Sequence, residues 1–313
     1  MSIPTLPRFV LQRGDHRVEV IDPRPDPTRL GARYVHGGYI AGWQVAGREL
    51  TSGPAPFWQN YHGRGLPETF ELPIGWAHVA EGEPYLRIGA GQLIKRGRHL
   101  HEQLAMARLS AVVQWEIIEQ SPEHLLMRTL DGIESEELRV HYKLERLVRL
   151  HDDGVESRTT LTFRCGFMAQ HPIGWFAHPF FAHTALPATR IVIPQGEHLQ
   201  ITPVGPWMRM PAASGLVDGG PQGWHFGQPG RQRATFGNLW GGNLRDGSAP
   251  LTVHLDPALG GGQVAIAVDR PLDHLVVWAN ERAFSPEPKL SRLWLDGETA
   301  AWSIRYRFAS AAG

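Results

Sequence analysis

Lys143-Leu144-Glu145-Arg146-Leu147-Val148-Arg149-Leu150-His151-Asp152-Asp153-Gly154-Val155-Glu156-Ser157-Arg158-Thr159-Thr160-Leu161-Thr162-Phe163 is the stretch on which the fold class turns. Apolar and polar side chains alternate through Lys143 to Leu150 and again from Val155 to Phe163, the two-residue period of strands with one buried face. His151-Asp152-Asp153-Gly154 lies between them. Asp-Gly is expected to supply the positive φ of a tight hairpin turn there. Two long antiparallel strands are therefore predicted.

Working outward, short apolar runs rich in β-branched and aromatic residues recur between closely spaced turn residues, 35 Gly and 25 Pro in 313 residues. Strands are predicted at Arg17 to Ile21, Arg33 to Ile40, Ala111 to Ile118, Leu125 to Leu130, Val140 to Leu150 and Glu156 to Phe163. Further strands are predicted at Arg190 to Pro194, Leu251 to Leu255, Val264 to Val268, His274 to Trp278 and Ala301 to Phe308. Helical periodicity is weak throughout. The expected fold is all-β, a large antiparallel β-sandwich forming one domain over residues 1–313, with Pro203 to Gly247 read as a long loop region.

Charge and composition exclude several classes of function. Lys plus Arg and Asp plus Glu number 31 each, and no basic run offers a field to nucleic acid. No stretch approaches the ~20 apolar residues of a membrane span, and Met1 to Phe9 lacks a signal-peptide core. A cytoplasmic protein without membrane partners is expected. Cys165 is the only cysteine. It permits no internal disulfide and no thiolate metal cluster, and its strand-like context marks it as packing.

Candidate chemistry begins with the 16 histidines. His99-Leu100-His101 would present two imidazoles on one strand face, but the third histidine and carboxylate of a metal set do not follow, so no metal is expected. His36-Gly37-Gly38 and His62-Gly63-Arg64-Gly65 are glycine-flanked histidines able to approach a ligand closely. Gly174-Trp175-Phe176-Ala177-His178-Pro179-Phe180-Phe181-Ala182-His183 surrounds His178 with aromatic side chains, the setting of either a proton donor or a satisfied core histidine. Pro286-Glu287-Pro288, at the end of the apolar run Leu275 to Trp278, mounts a carboxylate between two residues of fixed φ. That mount suits a general base, and it equally suits the close of a strand.

These features together resemble the galactose mutarotase (aldose 1-epimerase) superfamily. The resemblance rests on His178 among aromatic residues, on Glu287-Pro288 after an apolar strand with Trp278, and on the ending Leu295-Asp296-Gly297-Glu298-Thr299 into Ala300 to Phe308. The Gly-rich opening pair Gly31 to Leu50, ending Gly47-Arg48-Glu49-Leu50, completes the order, so that nearly the whole chain is covered. The family implies a large twisted antiparallel supersandwich and cofactor-free interconversion of the α and β anomers of an aldose, a free or phosphorylated hexose. It implies Glu287 as the base that removes the anomeric hydroxyl proton and His178 as the acid that protonates the ring oxygen. The stretch Trp58 to Glu71 falls where the family binds its sugar, which implies Arg64, His62 and Glu71, with Glu68 as a competitor, as substrate contacts. Two other readings stand beside this one: a non-catalytic carbohydrate-binding sandwich, and a polysaccharide lyase or glycosidase using Glu281 and Glu287 as paired carboxylates.

Overall fold

A computed structural model describes residues 6–53, 63–71, 73–97, 109–135, 138–166, 170–194, 200–202, 216–227, 232–237 and 249–311. The hairpin that opens the sequence reading forms as strands Arg139–His151 and Gly154–Cys165, paired in unbroken antiparallel register from Val140↔Cys165 to His151↔Gly154. Its turn differs from expectation. Asp152 and Asp153 make the two-residue loop with ordinary negative φ, and Gly154 is a strand residue without positive φ. Glycine is required at 154 for space: a Cβ there would lie 1.9 Å from the Tyr306 carbonyl oxygen of the adjoining strand.

These two strands sit in a ten-stranded sheet that runs in space from Leu216–Asp218 through Trp224–Phe226, Arg190–Val192, Leu251–His254, Gln263–Val268 and Thr299–Ala309 to the hairpin, then to His124–Glu134 and Glu116–Gln120. A seven-stranded sheet faces it, ordered Gln200–Thr202, Gln232–Gly237, His274–Ala279, Ala283–Leu295, Gln170–Ala177 and Glu68–Phe70, with Phe181–Ala182 also paired to Ala283–Leu295. Among the described residues all strand pairings are antiparallel. The apolar stripes of the two sheets meet between them, as Phe70 against Trp302, Trp175 against Trp302 and Phe226 against Phe284 illustrate. A four-stranded and a three-stranded sheet pack on this sandwich. The helical elements described are 3-10 turns of three or four residues, and among the described residues no helix is long and apolar enough to cross a membrane.

The predicted strand Ala111 to Ile118 divides into Ala111–Val112 in the three-stranded sheet and Glu116–Gln120 in the ten-stranded one, and two further predicted elements change character. Arg33 to Ile40 is not a strand; regular pairing starts at Ile40–Val45, and residues 33–39 form an irregular segment. Gly37 explains part of this, since a Cβ there would stand 2.2 Å from the Trp115 ring, and Gly38 has φ 66°. The following connection is a tight turn with Ala46 at φ 49° and Gly47 at φ 78°, leading into Arg48–Glu49. The second change lies between Pro203 and Gly247, where the described portions include three strands, Leu216–Asp218, Trp224–Phe226 and Gln232–Gly237.

Candidate active site

Pro286-Glu287-Pro288 lies inside a 13-residue strand, Ala283–Leu295, rather than at a strand end. The prolines are tolerated because of what their missing N–H groups face. Odd-numbered residues of this strand bond to His274–Ala279 or its flanks: the Asp273 N–H donates to the Lys289 carbonyl and the Asn280 N–H to the Ala283 carbonyl. Even-numbered residues face the other side, where Phe181–Ala182 pairs only with residues 283–284 and Gln170–Ala177 only with 289–295. Pro286 and Pro288 occupy that gap, which is where the neighbouring chain breaks pairing at His178-Pro179-Phe180. The break has its own partners. The His178 N–H donates to the Pro67 carbonyl at 2.8 Å and the Phe180 N–H to the Gly65 carbonyl at 2.8 Å.

The two interruptions bring the expected acid and base together. Ser285, Glu287 and Lys289 share one face of the strand by its two-residue period. His178 Nε2 is 3.3 Å from Glu287 Oε1, with side chains only 5% and 7% exposed. His178 Nδ1 lies 2.8 Å from Ser285 Oγ, a hydroxyl able to donate or accept, so the imidazole is oriented in either tautomer. Its ring stacks on Phe180 at 4.4 Å and 28° and meets Tyr34 and Trp278 edge-on at 6.1 Å and 6.0 Å.

Arg33, Tyr34, Ser285 and Lys289 join the site without having been singled out in the sequence. Arg33 Nη2 is 3.3 Å from His178 Nε2. Burial pushes the Tyr34 phenol well above its ordinary pKa; the Arg33 charge opposes that, and Tyr39 and Glu287 add to it. Tyr34 is therefore a neutral O–H group beside the carboxylate. Arg87, itself buried with its pKa lowered to about 10 by desolvation, holds this segment in place. It donates to the carbonyls of Ala32 (3.1 Å), Arg33 (3.1 Å) and Glu71 (3.0 Å). Ser285 and Lys289 were legible as i±2 neighbours of Glu287 once the strand is carried through its prolines. Arg33 and Tyr34 fall in the predicted strand Arg33 to Ile40, and nothing in that pattern directs them toward His178.

The expected sugar contacts separate. Glu71 lies on the Glu287 face, 2.7 Å from Lys289 Nζ, which stands 4.4 Å over the Phe176 ring. Arg64 is fixed by its Nε to the Ala41 carbonyl at 3.1 Å, and its backbone N–H donates to the Tyr39 hydroxyl at 3.0 Å. His62 lies outside the described residues, as do His99 and His101. Glu68 is a correction. Strand alternation turns it inward with Phe70, where its carboxylate takes both terminal nitrogens of Arg146 at 2.5 Å and 2.6 Å and the Trp175 indole N–H at 2.9 Å. It is a core ion pair with side chains 2% and 3% exposed, facing away from Glu287. His36 is likewise structural: it is fully buried, contacts the Gly31 carbonyl, and has its pKa lowered to about 4 by desolvation. Glu281 is exposed in the turn between two strands, while Glu287 is buried. Among the described residues no cluster of three or more His, Cys, Asp or Glu is arranged to hold a metal.

No family model and no curated protein matches this chain in sequence. Solved structures do match its fold. An aldose epimerase homologue from C. elegans superposes with a TM-score of 0.61 at 9% identity, over 98% of this chain and 100% of the other. A galactose mutarotase-like protein from Lactobacillus casei gives 0.60 at 14% identity, over 97% and 100%. A galactose mutarotase related enzyme from Lactobacillus acidophilus gives 0.57 at 12%, over 97% of each chain. The chain thus has the galactose mutarotase-like fold, an all-β supersandwich, along essentially its whole length.

Proposed function

We propose that the protein is an aldose 1-epimerase-like mutarotase, an isomerase that interconverts α and β anomers of a free or phosphorylated hexose with Glu287 and His178 as its acid/base pair. One observation carries this reading: a histidine in the break between two strands and a glutamate on the strand alongside, both nearly buried, meet at 3.3 Å on one face of the sheet. Mutarotation needs such adjacency. The hydroxyl oxygen and the ring oxygen of a cyclic hemiacetal are bonded to the same carbon, so the groups serving them must be neighbours.

In the opening step Glu287 removes the proton from the O1 hydroxyl as the C1–O1 bond becomes a carbonyl and the C1–ring-oxygen bond breaks. The released electron pair on the ring oxygen takes the proton of His178 Nε2. Rotation about C1–C2 presents the other carbonyl face, and the two groups reverse roles as the ring closes. The two contacts of Nε2 match the two ends of this transfer. Protonated, it faces the Glu287 carboxylate; deprotonated, it accepts a hydrogen bond from Arg33. Ser285 keeps the ring in plane, and Tyr34 offers Glu287 a neutral neighbour. Arg64, His62 and Glu71 are the proposed sugar contacts.

Exchange NMR between the two anomeric protons of glucose or galactose tests the reading. Catalytic exchange that disappears in His178→Asn supports it. Sugars that raise the melting temperature without any exchange across a panel of free and phosphorylated aldoses would instead mark a non-catalytic carbohydrate-binding sandwich.

A further inference from the structure

Beyond Glu287, the Ala283–Leu295 strand passes along a cavity of about 350 Å³ lying between the two large sheets. Its floor is aromatic. Trp175, Trp294 and Trp302 are each 5% exposed or less and meet edge to face at 5.8 Å and 6.2 Å. Leu290 adds apolar wall, and two guanidinium groups stand at the rim. Arg292 lies 4.9 Å over the Trp294 ring and pairs with Glu298. Arg270 spends two of its donors, Nε and Nη2, on the Ala301 carbonyl at 3.2 Å and 2.8 Å, out of the five that a guanidinium carries.

The lining is rich in donors and poor in acceptors. The indole N–H groups of Trp294 and Trp302 are buried without an acceptor, and Asp273, the one carboxylate among these lining residues, accepts the Ser291 N–H at Oδ2. A sugar brings several hydroxyl donors that need acceptors, and among these lining side chains only Asp273 and Ser291 can accept. An anion with a flat apolar body is its complement: the body fits against Leu290, Ala300 and the indole edges that reach the cavity, and the head meets a rim guanidinium, a group that recognises carboxylates in a planar fork. Leu290, Arg292 and Trp294 also have the opposite strand parity to Glu287, which puts the cavity on the other face of the sheet.

We infer that this cavity is a second ligand site, separate from the His178–Glu287 face, taking a small organic anion with a flat apolar body, in its simplest form an arene carboxylate. Benzoate is the probe, titrated into the full chain and followed by tryptophan fluorescence and ligand-observed NMR. The expected result is saturable one-to-one binding, weakened about tenfold or more in Arg270→Gln and in Arg292→Gln, the scale of a charge-assisted hydrogen bond. Ala300→Leu, which narrows the cavity, abolishes it, and Glu287→Gln leaves it unchanged. In the unaltered protein, where folding is not in question, benzyl alcohol binds about tenfold more weakly than benzoate because it lacks the charge. Absence of saturable benzoate binding, equal binding of benzoate and benzyl alcohol, indifference to both arginine substitutions, or loss of binding in Glu287→Gln would each overturn the inference.

Discussion

At His178 Nε2, a carboxylate acceptor and a guanidinium donor stand at the same distance, 3.3 Å, so the two protonation states of one ring nitrogen each have a partner in place. Orientation of that ring rests on Ser285. Ser285→Ala is expected to lower kcat by roughly 10- to 100-fold with little change in KM, as for other groups that orient a reacting side chain, and steady-state kinetics across substrate concentrations separates the two. His36 gives a residue-scale prediction about stability. Its pKa falls from 6.5 to about 4 on folding because burial disfavours the charged ring. Between those values the unfolded chain binds more protons than the folded one, so stability is lost as pH falls from 6.5 toward 4, by up to about 3 kcal/mol from this group. Urea titrations at pH 7 and pH 5 should record the loss, and His36→Gln should flatten it. An unchanged pH slope in His36→Gln would contradict this.

Strand Ala283–Leu295 shows how an element carries a site. Its prolines fall where the neighbouring strand is interrupted, and the interruption is what turns His178 toward Glu287. The sequence displays both prolines and the aromatic setting of His178, which made the pair legible; it does not display that the strand continues past Pro288, since proline inside a run ordinarily reads as its end. Arg33 escaped for a related reason: it opens a run that reads as the strand Arg33 to Ile40, and that pattern does not foretell the irregular path, stapled by a buried arginine, that brings it to His178. In the hairpin the alternation was clear, but the role of Gly154 was set by a strand 152 residues later in the chain, which local turn rules cannot see. Gly154→Ala is therefore expected to destabilise by about 1–3 kcal/mol through overpacking against Tyr306, measured by chemical denaturation. A neutral effect would mean that the strands separate easily at this point.

On the scale of the whole molecule, the two large sheets are locked by apolar packing and by a buried pair, Glu68 with Arg146. Glu68 competes with Glu71 as a sugar contact on the resemblance of the stretch Trp58 to Glu71 to the family's sugar-binding loop; only the inward turn of a three-residue strand assigns it to the core. Glu68→Gln leaves Arg146 buried and short of a countercharge, with an expected loss of about 3–5 kcal/mol in denaturation midpoint analysis and no loss of turnover per folded molecule. Loss of turnover at full stability would restore it to the site. The sandwich itself was legible because alternation and turn residues recur along the chain, whereas the facing of particular carboxylates depends on register set by distant strands. The most direct test of the acid/base pair is polarimetry on freshly dissolved α-glucose and α-galactose, with the corresponding 6-phosphate of glucose alongside. The protein should accelerate the approach to anomeric equilibrium, and Glu287→Gln, with an unchanged melting temperature, should cut that acceleration by roughly 10²- to 10⁴-fold. Equal acceleration by the two proteins would contradict the assignment of Glu287 as the base.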